Sequence, residues 1–149
     1  MTLTVRPAVA DDEAAWRPLW QGYLDFYHVP DLPEEITATT WARCLDPTEA
    51  VHCRVVEHEG TVIGFALIVV HRGTFHIGPV CYLEDLFVAP SARRLGAARR
   101  LFEALVEEGR EKGWAKVYWQ TLPDNAAGQA LYDQVGKRTD FIRYDMPLG

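Results

Sequence analysis

The sequence is poor in cysteine and lacks the residue spacings that bind metals. Its three cysteines, Cys44, Cys53 and Cys81, are odd in number and include no Cys-x-x-Cys pair, which argues against a disulfide framework and a zinc site. The five histidines show no metal-ligand spacing either: they are His28, His52, His58, His71 and His76. We therefore expect free, mostly buried thiols and no bound metal.

Long apolar runs and a secretory leader are also missing. No stretch reaches the roughly 18 apolar residues of a membrane span. Residues 1–6 contain no basic segment that leads into a signal-length apolar run. These absences predict a cytoplasmic protein without membrane contact.

The chain has no excess of positive charge. Its net charge of −6 opposes nucleic-acid binding, which needs a basic surface to displace counterions from phosphates. Residues 1–92 carry 13 acids and 5 bases, a net of −8, whereas residues 93–149 carry 8 acids and 10 bases, a net of +2. The acidic part would attract a cation and the basic part an anion; the alternative is that both are solvated surface.

Length and residue pattern predict one α/β domain over residues 1–149. The composition, 48% apolar and 24% charged, is that of a globular domain. Alternation at Leu3 and Val5 predicts a first strand, and aromatic residues at three- and four-residue steps over 16–27 predict an amphipathic helix. A weaker helix is predicted over 34–45.

The rest of the chain alternates between strand and helix patterns. A hairpin is predicted from strands 51–57 and 62–70, followed by a strand over 80–88, a helix over 95–112, a strand over 116–122, a helix over 125–135 and a last strand over 139–146. The strand–helix–strand crossover requires 80–88 and 116–122 to run parallel.

A short basic turn joins strand to helix within residues 86–100. Backbone N–H groups in the first turn of a helix are unpaired and carry the positive end of the helix dipole, so they bind anions. Gly96 removes a side chain that would keep phosphate from the backbone, and Arg93, Arg94 and Arg99 add charge. The segment predicts a pyrophosphate site; the alternative is a helix start with a solvated arginine face.

Two motifs carry a family resemblance. Arg93-x-x-Gly96-x-Ala98 resembles the acyl-CoA pyrophosphate loop of the GNAT N-acetyltransferases. The family's second CoA-contacting segment is similar to Asn125-x-x-x-x-Ala130-Leu131-Tyr132 followed by Gly136. The likeness covers nearly the whole chain and implies an α/β (α+β) fold: a mixed, mostly antiparallel, twisted sheet of about six or seven strands flanked by about four helices. The chain departs from the family after Gly136, where many members have an aromatic residue and this sequence reads Lys137-Arg138-Thr139-Asp140-Phe141.

The resemblance implies acetyl-CoA as co-substrate, a primary amine as acceptor, and a homodimer. In the family, the strand that corresponds to 80–88 separates from its parallel neighbour, and its backbone groups there pair with the pantetheine amides. A backbone N–H near Leu86 is implied to hold the developing oxyanion. The residues that it assigns to acetyl-CoA are Leu86, Phe87, Val88, Arg93, Arg94, Leu95, Gly96, Ala97, Ala98, Arg99 and Asn125.

The subgroup resemblance narrows the acceptor class. The segment from Tyr82 to Val88 is similar to a strand of the diamine and polyamine acetyltransferases. The aromatic first helix and Tyr118-Trp119-x-Thr121 are similar to the fungal-type histone and polyamine acetyltransferases. A cationic acceptor is implied: a polyamine, an amino-acid-like amine or a lysine side chain.

Two residues are predicted to move protons. A primary amine with a pKa of about 10.4 is almost fully protonated near pH 7 and must lose a proton before it attacks. Glu84 is the predicted acceptor of that proton, directly or through water. Unless a bulge shifts the register, alternation places it with Tyr82, Leu86 and Val88 and turns Asp85 away. Tyr132 would protonate the departing thiolate, and its alternative is a core aromatic residue.

The predicted acceptor contacts are Tyr27, Glu34, Glu84, Asp85 and Trp119. The alternative for Glu84 is a carboxylate satisfied by a neighbouring hydroxyl or arginine, and for Tyr27, Glu34 and Trp119 it is solvated surface or core. Cys81 lacks a base at motif spacing and is not predicted to be a nucleophile. Two other functions stay open: a catalytically idle acyl-CoA-binding sensor, and a protein-interaction module that uses the aromatic helix.

Overall fold

Five strands and three helices make up the part of the chain that ends at Trp119. The computed structural model describes residues 2–149, which divide after Trp119 into two compact units. The strands of the first unit are β1 (Leu3–Pro7), β2 (Val51–His58), β3 (Thr61–His71), β4 (Val80–Val88) and β5 (Val117–Tyr118), and its helices are α1 (Glu13–Phe26), α2 (Glu34–Leu45) and α3 (Ala97–Lys112).

The sheet has the order β1-β2-β3-β4-β5. All neighbours are antiparallel except β4 and β5, which pair in parallel through Cys81 with Val117 and Tyr82 with Tyr118. The predicted mixed α/β class and the parallel crossover are therefore confirmed.

The predicted number of strands is wrong. The described chain has a five-stranded sheet rather than six or seven strands, and residues 137–149 contain no helix or strand. Apolar residues alternate at 142–146, which is typical of a strand, but a strand also needs a partner for its backbone hydrogen bonds. β5 is likewise shorter than predicted, because only two of its residues remain in register with β4.

One face of the sheet is covered by α1 and α2 over a tryptophan-rich core. Trp16 is fully buried, with its ring 5.3 Å from that of Trp20 and 4.8 Å from that of Trp41. The Trp20 indole N–H donates to the Thr37 hydroxyl at 3.0 Å, which joins the two helices. The predicted bounds of α2 and the predicted aromatic face of α1 are confirmed.

Close contact between α1 and β4 depends on Gly22. A Cβ atom at this position would lie 2.8 Å from ring carbons of Phe87 on β4, nearer than real side chains approach. The absence of a side chain lets α1 lie against β4, which places the next residue, Tyr23, beside the middle of that strand. Helix α3 contacts β1 to β4, with Leu101 and Leu105 in the core.

The second unit holds one regular element, α4 (Ala126–Val135). Asn125 caps it: its side-chain oxygen accepts from the Gly128 N–H at 3.1 Å, and its side-chain nitrogen donates to the Thr121 hydroxyl at 2.8 Å. That the whole chain forms a single domain stays a prediction. No helix in residues 2–149 is long and apolar enough to cross a membrane.

Candidate active site

A β-bulge in β4 sets the geometry of the two predicted carboxylates. Leu67 of β3 pairs with Asp85, and the next residue, Ile68, pairs with Leu83, so Glu84 is an extra residue without a partner position in the register. Simple alternation is therefore wrong here. The bulge turns Asp85 to the side of the sheet that carries Leu67 and the α1 core, while Glu84 is exposed.

Asp85 is a mostly buried carboxylate whose hydrogen-bond partner is on α1. Burial, reinforced by the neighbouring charge of Glu84 and only partly opposed by the hydrogen bond from the Tyr23 hydroxyl, raises the pKa of Asp85 to about 7. Burial and the Asp85 charge also raise the pKa of Tyr23, which stays a proton donor. A carboxyl group of this kind exchanges a proton near neutral pH.

Tyrosines flank the carboxylate pair on two sides. On α1, Tyr23 stacks on Trp20 at 5.5 Å, and Tyr27 lies 4.8 Å beyond Tyr23. On the sheet, Tyr82 of β4 stacks on Tyr118 of β5 at 4.8 Å. Burial first, and then the charge of Glu84, raises the pKa of Tyr118, so the carboxylate lies within electrostatic reach of that ring.

Two predicted acceptor residues have other partners. Glu34 accepts two hydrogen bonds from Arg17, at 2.7 and 3.0 Å, on the exposed side of α1 and α2. The Trp119 ring lies 4.7 Å from that of Phe102 on α3, on the opposite side of the sheet from Asp85. Tyr27, by contrast, contacts Tyr23, whose hydroxyl donates to Asp85.

The edge of β4 is open where acetyl-CoA is predicted to bind. The ladder to β5 ends at Tyr82, so in the described chain no strand pairs with Leu86, Phe87 and Val88 on that side. The Val88 carbonyl accepts a long hydrogen bond of 3.4 Å from Arg93 Nε. The β4 backbone from Leu86 to Val88 therefore has no strand neighbour on this side, and its pairing with a pantetheine arm stays a prediction.

The turn after β4 fits a pyrophosphate. A 3₁₀ helix, Pro90–Leu95, leads to Gly96, which has φ of 79°, and α3 begins at Ala97. A Cβ atom at Gly96 would meet nothing within 4 Å, and no described side chain caps this end of α3. Arg94 and Arg99 are exposed, and the Arg93 guanidinium lies 5.5 Å from the centre of the Phe87 ring. An open, uncapped helix start beside arginines is a good anion site.

Sequence comparison agrees with this geometry. The model of the acetyltransferase (GNAT) family matches residues 16–136. The chain belongs to this family. It is an acyl-CoA-dependent acetyltransferase, as predicted from the two motifs.

Known GNAT proteins are similar over most of this chain. The D-amino-acid N-acetyltransferase HPA3 of Saccharomyces cerevisiae is 35% identical over 144 residues, which are 95% of this chain and 89% of that protein. The aminoglycoside N(6')-acetyltransferase type 1 of Salmonella typhimurium is 28% identical over 80% of this chain and 78% of its own length. The aminoglycoside N-acetyltransferase AAC(6')-Iy, solved in complex with CoA, has the same fold, with a TM-score of 0.83 at 22% identity, covering 98% of this chain and 95% of that chain.

Several other predicted roles can now be located in this GNAT protein. Tyr132, on α4, and Asn125, its cap, belong to the second unit, where Tyr132 is half-buried. Burial raises the pKa of the Cys81 thiol to about 12, so a thiolate nucleophile is not available there. No group of three or more His, Cys, Asp or Glu side chains within residues 2–149 is arranged to hold a metal ion.

Sequence reasoning missed the partners that complete the carboxylate site. Tyr23 of α1 donates to Asp85, and Tyr118 of β5 lies within electrostatic reach of Glu84 and is held by His71 of β3. Only strand register and helix contact bring these residues together. The signal available for Tyr23 was its place between Trp20 and Tyr27 on one helical face. No sequence signal indicated the bulge.

Proposed function

We propose that this GNAT enzyme transfers the acetyl group of acetyl-CoA to a primary amine by direct attack in a ternary complex. The observation that carries the proposal is the bulge in β4. It presents one exposed and one buried carboxylate immediately before the open strand edge at Leu86 and the anion-binding turn. The strand thus carries, in order, groups suited to an amine and groups suited to an acyl-CoA.

The donor side acts by hydrogen bonding and charge. Acetyl-CoA supplies the activated thioester. The first-turn N–H groups of α3 and the arginines of the turn would hold the pyrophosphate, and Leu86 to Val88 would pair with the pantetheine amides. A backbone N–H near Leu86 would stabilise the negative charge that develops on the carbonyl oxygen. Asn125 would contribute from the second unit by organising the start of α4.

On the acceptor side, the carboxylate pair would take the proton of the ammonium group. Glu84 is exposed to an entering substrate and is the proposed acceptor, directly or through water. Asp85 is the second candidate for this role, because a pKa of about 7 lets it receive a proton near neutral pH and release it again. Its hydrogen bond with Tyr23 holds it toward the α1 side.

Collapse of the tetrahedral intermediate requires a proton on the departing sulfur. Tyr132 is the proposed donor, supported by its position in the family's second motif. The high pKa of Cys81 supports a mechanism without a covalent acyl-enzyme. We further propose a cytoplasmic homodimer, by analogy with the family.

The acceptor belongs to the small amines on which the relatives act. The similar proteins are named for D-amino acids and for aminoglycosides, two amines that differ in the charge beside the reacting nitrogen. The net charge of −8 over residues 1–92 supports attraction of an ammonium group toward Glu84 and Asp85.

One panel of assays tests the proposal. Acetyl-CoA consumption is measured with amino acids, polyamines, lysine peptides and aminoglycosides, and acetyl-CoA binding is measured separately by thermal shift. We expect acetyl-CoA to raise the melting temperature and at least one amine class to be acetylated. Binding without turnover across the panel would identify an idle sensor, and absence of binding would identify an interaction module.

A further inference from the structure

The end of β4 that lies away from the anion-binding turn is bordered by basic residues. His71 ends β3, Arg72 follows it, and Lys116 precedes β5; we call these three residues the basic corner. Residues 70–83 contain no acid. The corner is a local exception in a part of the chain whose net charge is strongly negative.

Hydrogen bonds fix the tyrosine that separates the basic corner from the carboxylates. His71 Nδ1 lies 3.0 Å from the Arg72 carbonyl oxygen, and His71 Nε2 lies 2.7 Å from the Tyr118 hydroxyl. Because a carbonyl only accepts, His71 donates through Nδ1, and Nε2 holds the Tyr118 hydroxyl by the second hydrogen bond. Stacking on Tyr82 holds the same tyrosine from its other side.

Lys116 is the charged group of the corner that lies beside the tyrosine pair. Its ammonium lies 5.3 Å from the centre of the Tyr118 ring, and its side chain is exposed. It forms no ion pair with any carboxylate of residues 2–149. Register places it on the side of Tyr118, Tyr82 and Asp85, since residues two apart on a strand share a face and Tyr118 pairs with Tyr82.

Opposite charges therefore lie on the two sides of one tyrosine pair. Glu84 follows Tyr82 by two residues, which corresponds to about 7 Å along a strand, and Lys116 approaches the Tyr118 ring from the other direction. Lys116 precedes Tyr118 by two residues, about 7 Å further along the strand, and its side chain reaches back toward the ring. An ammonium at Glu84 and an anion at Lys116 would therefore lie on opposite sides of the tyrosine pair. A second ammonium at Lys116 would instead meet like charge.

We propose that Lys116 selects acceptors that carry a carboxylate several carbon atoms away from the reacting amine. This inference rests on the proposed acetyl transfer. The negative charge of residues 1–92 would attract any cationic amine, whereas Lys116 would favour a zwitterion over a polyamine. Lys116 is a specificity-determining residue and takes no part in proton transfer.

Three acceptors of similar length test the proposal: 6-aminohexanoate, hexylamine and 1,6-diaminohexane. The wild-type kcat/KM should be highest for 6-aminohexanoate and lowest for the diamine. Lys116→Gln should lower the preference for 6-aminohexanoate over hexylamine about five- to tenfold, through KM rather than kcat, because the interaction is present before and during reaction. Lys116→Arg should retain the preference, and Lys112→Gln, which makes the same charge change elsewhere, should leave it unchanged. A preference that is equal in wild type and Lys116→Gln would overturn the proposal.

A binding measurement separates this inference from the proposed chemistry. The acetylated product 6-acetamidohexanoate should bind wild type more tightly than Lys116→Gln in calorimetry with CoA present. If none of the three amines is acetylated but this difference is seen, acetyl transfer to such amines is wrong and the carboxylate site is retained. If the amines are acetylated and the product binds both proteins equally, the enzyme is confirmed and the role of Lys116 is rejected.

Discussion

At its carboxyl end β4 runs into a turn made of one contiguous stretch, whereas at its middle the same strand meets side chains from three other elements. The turn from Val88 to Arg99 needs only backbone N–H groups, a glycine and arginines. The carboxylate pair needs Tyr23 from α1, Tyr118 from β5 and a bulge against β3. A local anion site tolerates change around it, while an assembled site depends on every element that contributes to it.

The difference has a functional counterpart under the proposed mechanism. The CoA part of the donor does not change with the acceptor, so a self-contained turn is sufficient to bind it. The acceptor varies, and a site built from several elements can be altered one element at a time without disturbing the donor turn. Changes at the carboxyl end of β4 should therefore affect acetyl-CoA binding, and changes at its middle should affect the reaction of the acceptor.

The largest effect is expected at Tyr132, the proposed proton donor to the departing sulfur. Tyr132→Phe removes the hydroxyl and conserves most of the packing, so kcat should fall by roughly 10²- to 10⁴-fold while the Kd of acetyl-CoA changes only a few fold. Steady-state kinetics and calorimetry on the same preparation measure both. Unchanged kcat across the pH range would return Tyr132 to a packing role.

A matched pair of substitutions at Gly96 tests the donor turn. Asn and Asp tolerate the left-handed φ of 79° at this position about equally, and they differ in charge. Gly96→Asp should therefore weaken acetyl-CoA binding roughly 10- to 100-fold more than Gly96→Asn, because its carboxylate would face the pyrophosphate. Calorimetry gives the ratio, and circular dichroism controls for folding. Equal affinities in the two variants would place the pyrophosphate elsewhere.

The turn and the middle of β4 also show what the sequence could predict. The donor turn, the bounds of β4 and α2, the hairpin and the parallel crossover follow from local patterns, and all of these elements are present. The face of Asp85 could not be predicted, because a bulge is decided by how β3 and β4 pair rather than by the residues of β4. The absence of the predicted last strand has the same cause. Alternation at 142–146 predicts which side chains would share a face, but the segment becomes a strand only if another strand pairs with it.

The third prediction concerns the pH dependence of the carboxylate pair. Since burial raises the pKa of Asp85 to about 7, a rate that needs this group ionised should fall below pH 7 by up to about tenfold per pH unit. Asp85→Asn should remove this inflection from kcat/KM. Glu84→Gln should instead lower the rate most at low pH and recover toward the amine's own pKa of about 10.4. Superimposable profiles for the two variants would show that the carboxylates do not have separate roles.

The smallest effect expected is on folding stability, and it distinguishes a buried carboxylate from an exposed one. The pKa of Asp85 is about 7 in the folded protein and about 3.9 in an unfolded chain. The folded state therefore holds the proton more tightly, and this contribution is fully present below about pH 3.9 and is lost as pH rises through about 7. Asp85→Asn removes the carboxylate charge while keeping its shape, so its stability relative to wild type should increase between about pH 4 and 7 and then level off. Urea unfolding at several pH values measures the difference. If the advantage of Asp85→Asn were the same at pH 4.5 and pH 8, Asp85 would not titrate near neutrality, and Glu84 alone would remain as the proton acceptor at the middle of β4.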